Sequence, residues 1–479
     1  MSAYSQEPFF GRQHELQVLN SLLSKRSASL VVIKGRRRVG KSRLAEEFVK
    51  SLKSYQFVGL APEKKITAQM QRDDFAQQMQ RQLGIPGLKT EDWGDLFWHL
   101  ANHTQEGQIC VLLDEINWMG DLDATFLAKL KTAWDLYFKK NPKLIMILSG
   151  SMSKWIEENI LSSTGFHGRL SAEITLEELP LSVCNEFWGE YKHTVSAYDK
   201  FKILSVTGGI PRYLEEIHPE WTSEKNILSL CYQKESILYK EFERIFSDLF
   251  SRRSSAYKTI VTACLSNGVT LTEISKALGM KKGGTVSAYV DDLIETGYLS
   301  RDFTWNLTAD HYSKLCVYRV KDNYLRFYLK YIEPHAEKIE RNEIQRLPAW
   351  DSIMGLQFEN LVLSNRKKIK ELLSLIPDDI VLDNPYFQKK NTVQAGCQID
   401  YLIQTRYNSL FLCEIKFSRN PIGVDVINKV KQKIAALNVS KNYSIWPVLI
   451  HVNGVSQSVI DANFFARIIN FSDLFVNQQ

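Results

Sequence analysis

Short apolar runs alternate with segments of helical periodicity over the first part of the chain. Buried strands are predicted at residues 30–33, 110–113, 144–148 and 172–176. Amphipathic helices are predicted between them, at residues 43–48, 62–100 and 125–139. Strands that alternate with helices usually pair in parallel, because each crossover returns the chain to the same edge of the sheet. The pattern therefore predicts an α/β fold with a parallel, helix-covered sheet.

The pattern changes twice beyond residue 180. Residues 183–250 are helical and rich in aromatic side chains, as a small helical lid would be, and three shorter helices and a hairpin follow. From residue 334 short strands occur with flanking helices. Because 479 residues exceed what one hydrophobic core holds, we expect separate domains over residues 1–180, 181–250, 251–333 and 334–479.

The turn after the first strand has the pattern GxxxxGK[ST], which forms a phosphate-binding loop when a buried strand precedes it and a helix follows. Both are predicted here. Glycines let the backbone turn so that its N–H groups point at phosphate oxygens, and the helix N-terminus adds partial positive charge. The residues that we expect to bind the nucleotide are Gly35, Arg36, Arg37, Arg38, Val39, Gly40, Lys41, Ser42 and Arg43.

Four side chains suit the chemistry of a nucleoside triphosphate. Lys41 would reach the β- and γ-phosphates, and Ser42 would hold Mg²⁺. The second strand ends in Asp114 and Glu115. Asp114 can hold the Mg²⁺ through water, and Glu115 can polarise the water that attacks the γ-phosphate. A single acid would suit a kinase or GTPase, whereas the second acid indicates hydrolysis, so ATP and Mg²⁺ are the expected ligands.

Four segments, taken in order, are similar to the archaeal-type ATPase family of the AAA+/signal-transduction (STAND) group: GRQHEL at 11–16, the loop at 35–42, LLDE at 112–115 and GGIPRYL at 208–214. The resemblance covers roughly the first half of the chain. It implies that the segment with Arg12 packs beside the adenine, that Pro211 packs on the adenine, and that Arg212 senses phosphate from the lid. The state of hydrolysis would then move the lid.

Two further polar residues are candidates for the same site. Ser149 follows the strand at 144–148, where such ATPases commonly carry a residue that senses the γ-phosphate; a small residue in a turn is an equal explanation. Arg169 could neutralise transition-state charge, in cis or from a neighbouring subunit of a homo-oligomer. A solvated surface arginine explains it equally well.

The helices predicted at 256–266, 270–278 and 285–294, with a hairpin from residue 297, resemble a winged helix-turn-helix. The third helix of that motif usually enters the major groove of DNA. Its expected phosphate and base contacts are Lys281, Lys282, Thr285 and Ser287. Three acids on the same segment face a duplex badly, and such domains often contact only proteins, so both interpretations stay open.

The most informative C-terminal stretch is a hairpin with Asp400 on one strand and Glu414 and Lys416 on the other. Alternate strand residues share a face, so Glu414 and Lys416 point the same way. The arrangement resembles the PD-(D/E)XK restriction-endonuclease-like superfamily. That resemblance implies that Asp400 and Glu414 ligate Mg²⁺, that Lys416 positions or deprotonates water, and that Glu359 completes the site.

The hairpin departs from that superfamily in one respect, since the usual proline before the first aspartate is absent. Gln432, on the following helix, is a weaker accessory candidate. The alternative is a solvated hairpin with a charged face. Because archaeal-type ATPases often carry such a domain with unsettled activity, the resemblance supports the fold more strongly than cutting.

Composition adds limits rather than a function. With 44% hydrophobic and 24% charged residues the chain is typical of a soluble globular protein, and its net charge of +6 permits an acidic partner without requiring one. The seven cysteines show no CxxC pair or zinc-like spacing, which indicates reduced thiols. With no apolar signal segment and no run of 18 apolar residues, we expect a cytoplasmic protein without a membrane partner.

Three functions remain open. The preferred one is a DNA-associated ATPase that controls a metal-dependent nuclease-like domain. The second is a nucleotide-operated switch whose C-terminal domain is a non-catalytic binding module. The third is a DNA-binding regulator with no nuclease role. Retention of Asp400, Glu414 and Lys416 together favours the first.

Overall fold

A computed structural model describes residues 8–61, 65–85, 87–151, 154–250, 253–266, 268–307, 311–390, 395–437 and 439–476. The chain divides into two compact units, residues 1–177 and 178–479. The finer division into four domains stays a prediction. Within the described ranges no helix is long and apolar enough to cross a membrane.

The first unit alternates strands with helices, as the hydrophobic pattern predicts. Its elements are α1 (Gln13–Ser21), β1 (Ser29–Gly35), α2 (Lys41–Val49), β2 (Lys53–Val58), α3 (Ala68–Leu83), α4 (Trp93–Asn102), β3 (Ile109–Asp114), α5 (Ile116–Gly120), α6 (Phe126–Leu136), β4 (Leu144–Ser151), α7 (Lys154–Ile156) and β5 (Leu170–Leu176). Short 3₁₀ turns occur at Leu22–Ser24 and Phe138–Lys140, and a π-helical turn occurs at Glu157–Leu161.

These five strands form one parallel sheet in the order β2-β3-β4-β1-β5, which confirms the predicted α/β fold. Strands β1, β3 and β4 are buried along their whole length. Central parallel strands need such apolar runs because helices cover both of their faces. Since β4 lies between β1 and β3, the end of β4 lies between the two strand ends that carry the predicted nucleotide residues.

Helix α3 protects the exposed edge of this sheet with glutamine side chains. Strand β2 is an edge strand, so its outward backbone groups have no strand partner. Gln82 pairs with both backbone groups of Gln56, and Gln78 pairs with both backbone groups of Val58, at 2.5–2.9 Å. Each carboxamide supplies one donor and one acceptor, which matches a strand residue. The glutamine-rich helix α3 therefore covers the β2 edge of the sheet.

Replacing Gln78 and Gln82 together by Leu is expected to lower the free energy of unfolding of the first unit by about 1–3 kcal/mol. Four hydrogen bonds to the β2 backbone and the bond from Gln78 to Asp74 disappear, and water replaces them only in part. The uncovered edge is also expected to promote self-association. Chemical denaturation and light scattering measure the two effects. Gln77→Leu with Gln80→Leu is the matched control, because both side chains are exposed; equal behaviour of the two double variants would contradict the assignment.

The second unit begins with helices and ends in a mixed sheet. Its helices are α8 (Leu181–Cys184), α9 (Ala197–Thr207), α10 (Pro211–Leu214), α11 (Ser223–Cys231), α12 (Ile237–Phe250), α13 (Ser254–Ala263), α14 (Leu271–Ala277), α15 (Gly284–Glu295), α16 (Asn323–Phe327), α17 (Ala336–Glu340), α18 (Met354–Ser364), α19 (Arg366–Leu372), α20 (Asp425–Ala436) and α21 (Gln457–Asp461). Its strands are β6 (Leu299–Asn306), β7 (His311–Val320), β8 (Ile380–Gln388), β9 (Cys397–Thr405), β10 (Ser409–Lys416), β11 (Ser444–His451) and β12 (Arg467–Asn470). Segments of 3₁₀ helix occur at Asn185–His193, Glu333–His335, Asp351–Ile353, Pro377–Asp379 and Phe471–Phe475, and a π-helical turn occurs at Tyr328–Ile332.

Helices α13, α14 and α15 precede the antiparallel hairpin β6–β7 in the predicted order. Thr270 and Glu273 form a capping box at the start of α14, which fixes where that helix begins. The hairpin does not stand free, because β6 packs beside β8. Thr304 Oγ1 donates to the Phe387 carbonyl at 2.6 Å, and Trp305 Nε1 donates to Gln404 Oε1 at 2.7 Å. The winged-helix assignment itself stays a prediction.

The C-terminal sheet has the order β12-β11-β10-β9-β8. Strands β8, β9 and β10 are antiparallel neighbours, whereas β10, β11 and β12 are parallel. Helix α20 packs on this sheet through Val426, Ile427 and Val430, which are buried. The predicted hairpin at 396–417 is therefore the β9–β10 pair, in the middle of the sheet.

Candidate functional site

The predicted phosphate loop joins the end of β1 to the start of α2. A Cβ atom at Gly35 would lie 2.7 Å from the Leu176 carbonyl oxygen, so this position accepts no side chain without a backbone shift. Arg38 and Gly40 have φ of 68° and 93°, in the left-handed region. These turns bring the chain back to the N-terminus of α2, as an anion-binding loop requires.

The Lys41 side chain lies over this loop. Its Nζ donates to the carbonyl oxygens of Gly35 and Arg36 at 3.2 Å each, and only 6% of the residue is exposed. Burial lowers the pKa of Lys41, while the nearby carboxylates of Glu115 and Asp114 oppose that shift. The amine is thus held in the loop, where phosphate oxygens could replace the two carbonyls as its partners.

Ser42 and Asp114 meet at the N-terminus of α2. Ser42 Oγ donates to Asp114 Oδ2 at 2.6 Å, and Asp114 Oδ1 accepts from the Glu115 backbone N–H at 3.1 Å. A hydroxyl and a carboxylate side by side are hard oxygen ligands of the kind that Mg²⁺ prefers. The two side chains fit the predicted metal role.

Glu115 leaves the strand in an unusual conformation. Its φ of 51° is left-handed, and the residue caps the N-terminus of α5. Such strain in a residue other than glycine or asparagine often marks a functional position. Burial raises the pKa of the Glu115 carboxyl, with the Lys41 ammonium opposing. A carboxylate with a raised pKa is suited to accept a proton.

The end of β4 supplies two serines on one face of the strand. Ser149 pairs with Ile33 and is fully buried, and among the described residues its Oγ has no hydrogen-bond partner. Ser151 pairs with Gly35, and its Oγ donates to Glu115 Oε2 at 3.4 Å. The sequence prediction ended this strand at residue 148 and therefore missed Ser151. Alternation along a longer strand would have found it.

The other two predicted arginines of the first unit differ in position. Arg12 is buried, and its Nη2 donates to the Val39 carbonyl at 3.1 Å and to the Glu177 carbonyl at 2.5 Å. Arg12 therefore links the phosphate loop to the chain just after β5 through two backbone carbonyls. Arg169 precedes Leu170, which pairs with Leu30 at the start of β1.

The position of Arg169 corrects the prediction that it acts in cis. The start of β1 is six residues, about 20 Å, from the phosphate loop. Arg169 instead pairs with both carboxylate oxygens of Asp135, at 2.8 and 3.0 Å. An action on a neighbouring subunit stays a prediction.

Pro211 and Arg212 belong to the second unit. Pro211 opens α10, where its fixed φ suits a helix start. Arg212 pairs with Glu215 at 3.1 Å and with Glu216 at 2.6 Å. Their predicted roles beside the nucleotide stay predictions.

The β9–β10 hairpin brings Asp400 and Glu414 together across neighbouring strands, in register with the Cys413–Tyr401 pair beside them. Asp400 Oδ2 accepts from the Ile415 backbone N–H at 2.8 Å. Burial, with the charge of Glu414 added, raises the pKa of Asp400 to about 7. Glu359 on α18 is half-buried, and its charge acts in the same direction. Lys416 is the half-buried last residue of β10.

Lys433 on α20 completes this cluster, which corrects the choice of Gln432 as accessory residue. Lys433 Nζ lies 2.5 Å from Glu414 Oε2 and 3.7 Å from Asp400 Oδ1, whereas Gln432 is exposed. The helical period could have found it, since Lys433 lies three residues after the buried Val430. Among the described residues no group of three histidine, cysteine or carboxylate side chains is placed to hold a metal ion.

The predicted DNA contacts lie at the start of α15. Lys281, Lys282 and Thr285 are exposed, and Ser287 is half-buried. Asp291 and Asp292 are two of the acids that face a duplex badly, and both contact other side chains. Asp291 pairs with Arg301, and Asp292 accepts from the Tyr257 hydroxyl at 2.5 Å.

A cavity of about 450 Å³ lies between the β6–β7 hairpin and the C-terminal sheet. Arg319 in its wall is almost fully buried and pairs with Asp302 at 2.7 Å. Glu359 and Cys397 also line the cavity, and Cys397 Sγ approaches the Lys433 carbonyl at 3.6 Å. Through Cys397 the cavity wall lies beside the backbone of α20.

Comparison with known proteins agrees with the first unit. Residues 9–217 match the family model described as an ATPase domain predominantly from Archaea. This part of the chain, which extends beyond the first unit, is thus similar to archaeal ATPase domains. The uncharacterized protein MJECL04 of Methanocaldococcus jannaschii is 26% identical over 364 residues, which are 74% of this chain and 76% of that protein.

A solved structure shares the fold. The Walker-type ATPase PABY2304 of Pyrococcus abyssi is similar over 68% of this chain and 97% of its own, with a TM-score of 0.51 and 19% identity. The ORC2 protein of Aeropyrum pernix, in its ADPNP–ADP complexes, is a more distant match over 71% of this chain and 97% of its own, with a TM-score of 0.42 and 15% identity.

Proposed function

We propose that this chain binds ATP with Mg²⁺ at the β1–α2 loop and hydrolyses it with Glu115, in association with DNA. The observation that carries the proposal is the meeting of Ser42 and Asp114 at 2.6 Å beside the buried Lys41 amine. Phosphate, metal and nucleophilic water each have a suitable side chain there. The match of residues 9–217 to an ATPase domain supports the same conclusion.

The residues of the site have separate roles in this proposal. The loop N–H groups and Lys41 bind the β- and γ-phosphates, and Ser42 and Asp114 fit Mg²⁺, which would neutralise phosphate charge. Glu115 orients a water and accepts its proton as that water attacks the γ-phosphorus, while the bond from this phosphorus to the β,γ-bridging oxygen breaks and ADP leaves. Ser151 holds the Glu115 carboxylate, and Ser149 senses the γ-phosphate.

Lys41→Ala is expected to abolish ATP binding, because the loop loses the amine that is expected to bind the β- and γ-phosphates. In the parent, ATP with Mg²⁺ at about 100 times its Kd should stabilise the folded ATPase unit by about 2.7 kcal/mol. Thermal unfolding with and without ATP measures this gain, which the variant should lack. Lys25→Ala, at an exposed lysine, is the control. A full ATP-dependent gain in Lys41→Ala would contradict the proposed site.

A second function, coupled to the first, is metal-dependent cleavage of a phosphodiester at the β9–β10 hairpin. The specific support is the facing pair Asp400 and Glu414, with Lys416 at the end of the same strand. Two hard oxygen ligands suit Mg²⁺ or Mn²⁺, which would polarise the phosphate. In the structure the Lys433 amine contacts Glu414. Lys416 would orient the attacking water, and the charge of Glu359 acts on Asp400 from α18.

A nucleic-acid partner would reach the chain at the start of α15. Lys281 and Lys282 are exposed ahead of that helix. The ion pair between Asp291 and Arg301 offsets one of the acidic charges that would repel a DNA phosphate. Thr285 and Ser287 would follow as polar contacts to the duplex.

Replacing Lys281 and Lys282 together by Ala is expected to weaken duplex binding and to flatten its salt dependence. The slope of log K against log salt should become less steep by about one unit for each DNA phosphate that the protein no longer neutralises. Fluorescence anisotropy at several salt concentrations measures the slope. Lys240→Ala with Lys330→Ala removes two other exposed lysines as a control. An unchanged slope in the first double variant would exclude DNA binding there.

A further inference from the structure

Lys433 occupies the place where a cation would bind between Asp400 and Glu414. Its Nζ is 2.5 Å from Glu414 Oε2 and 3.7 Å from Asp400 Oδ1. The three side chains are mostly buried, with exposed fractions of 24%, 9% and 17% for Lys433, Glu414 and Asp400. A divalent metal binds carboxylate oxygens at about 2.0–2.6 Å, which is the space that this ammonium fills.

The position of Lys433 is fixed by the fold and not by its side chain alone. Helix α20 is anchored by Val426, Ile427 and Val430 on the sheet, so the Cα of Lys433 cannot leave without undocking the helix. The long side chain can still swing away. A cavity lined by Glu359 and Cys397 lies near the Lys433 backbone, since Cys397 Sγ approaches the Lys433 carbonyl at 3.6 Å.

We propose that Lys433 is the resident cation of this site and competes directly with a divalent metal for Asp400 and Glu414. This rests on the proposed phosphodiesterase function for the identity of the second cation. Only one positive centre fits between the two carboxylates, so metal binding requires the ammonium to move aside. Lys433 therefore sets the metal concentration at which the site fills.

The electrostatics give the direction of the effect. With Lys433 in place, the two carboxylates are already partly neutralised, and an incoming dication meets a positive charge a few ångströms away. Without Lys433, two carboxylates face each other on neighbouring strands with no counter-ion from this helix, and like charges so close favour a bound cation. Removal of the amine should therefore tighten metal binding.

The test is Mn²⁺ binding to the full chain without nucleotide, followed by the electron paramagnetic resonance signal of free Mn²⁺. Lys433→Gln is expected to bind Mn²⁺ at least about tenfold more tightly than the parent, the effect of removing one adjacent charge. Lys433→Arg keeps the charge and should bind as weakly as the parent. Lys429→Gln, one turn earlier on α20 and exposed, is the matched control and should change nothing.

Adding Asp400→Asn to Lys433→Gln tests whether Mn²⁺ binds at this site. The double variant should lose the increase in Mn²⁺ affinity that Lys433→Gln alone shows. A second measurement covers folding: Mn²⁺ should raise the melting temperature of Lys433→Gln more than that of the parent. Equal or weaker binding by Lys433→Gln, or a gain that persists in the double variant, would overturn the competition. A variant that binds Mn²⁺ tightly yet cuts no DNA would leave the competition intact and refute the phosphodiesterase function instead.

Discussion

Glu115→Gln is expected to slow ATP hydrolysis by about 10²–10⁴-fold, the usual contribution of a positioned general base, and to leave ATP binding intact. The amide keeps the size of the side chain but cannot accept a proton from water. Two features distinguish Glu115 from Asp114: its backbone is left-handed, and burial raises the pKa of its carboxyl. Asp114 instead contacts Ser42. Steady-state phosphate release and equilibrium ATP binding separate the two effects.

Asp121→Asn is the matched control for this variant. It makes the same chemical change on an exposed side chain just after α5, within seven residues of Glu115. Its hydrolysis rate should equal that of the parent. Parental turnover by Glu115→Gln would show that another group activates the water, and Asp114 would then need a second role.

The first unit could be predicted well because its signals are local. A central buried strand needs a run of apolar residues, and a loop that turns at Gly35 and Gly40 cannot tolerate most other residues there. The order of the strands could not be read from the sequence. The placement of β4 between β1 and β3 depends on how the crossovers pack, and this placement makes Ser151 a neighbour of Glu115.

The residues that sequence reasoning missed make contacts with residues distant in the sequence, which no sequence motif reveals. Gln78 and Gln82 look like a polar helix surface, and only the position of β2 at the sheet edge gives them backbone partners. Lys433 is separated from Glu414 by 19 residues, and only the docking of α20 brings them together. For Arg169 the sequence indicated a site residue that the fold places elsewhere. Arg169 comes just before β5, at the end of the sheet opposite the phosphate loop.

The C-terminal hairpin carries the other large expected effect: Asp400→Ala and Lys416→Ala should each abolish metal-dependent DNA cleavage, by about 100-fold or more, while ATP hydrolysis stays at the parental rate. Asp400 is expected to hold the metal and Lys416 to orient water, so either substitution removes the attack but leaves the first unit untouched. Gel assays with duplex, single-stranded and branched DNA, with Mg²⁺ or Mn²⁺ and with or without ATP, measure the cutting.

Loss of folding has to be separated from loss of chemistry in these variants. Asp400→Asn keeps an acceptor for the Ile415 N–H, which the structure shows at 2.8 Å, so a fold that depends on this bond survives while the metal ligand is removed. Asp425→Ala, at an exposed carboxylate on α20, should cut like the parent. If the parent chain cuts none of these DNA forms under any of these conditions, Asp400, Glu414 and Lys416 are binding residues, and the chain is a nucleotide-operated switch whose ATPase cycle resets a C-terminal binding domain.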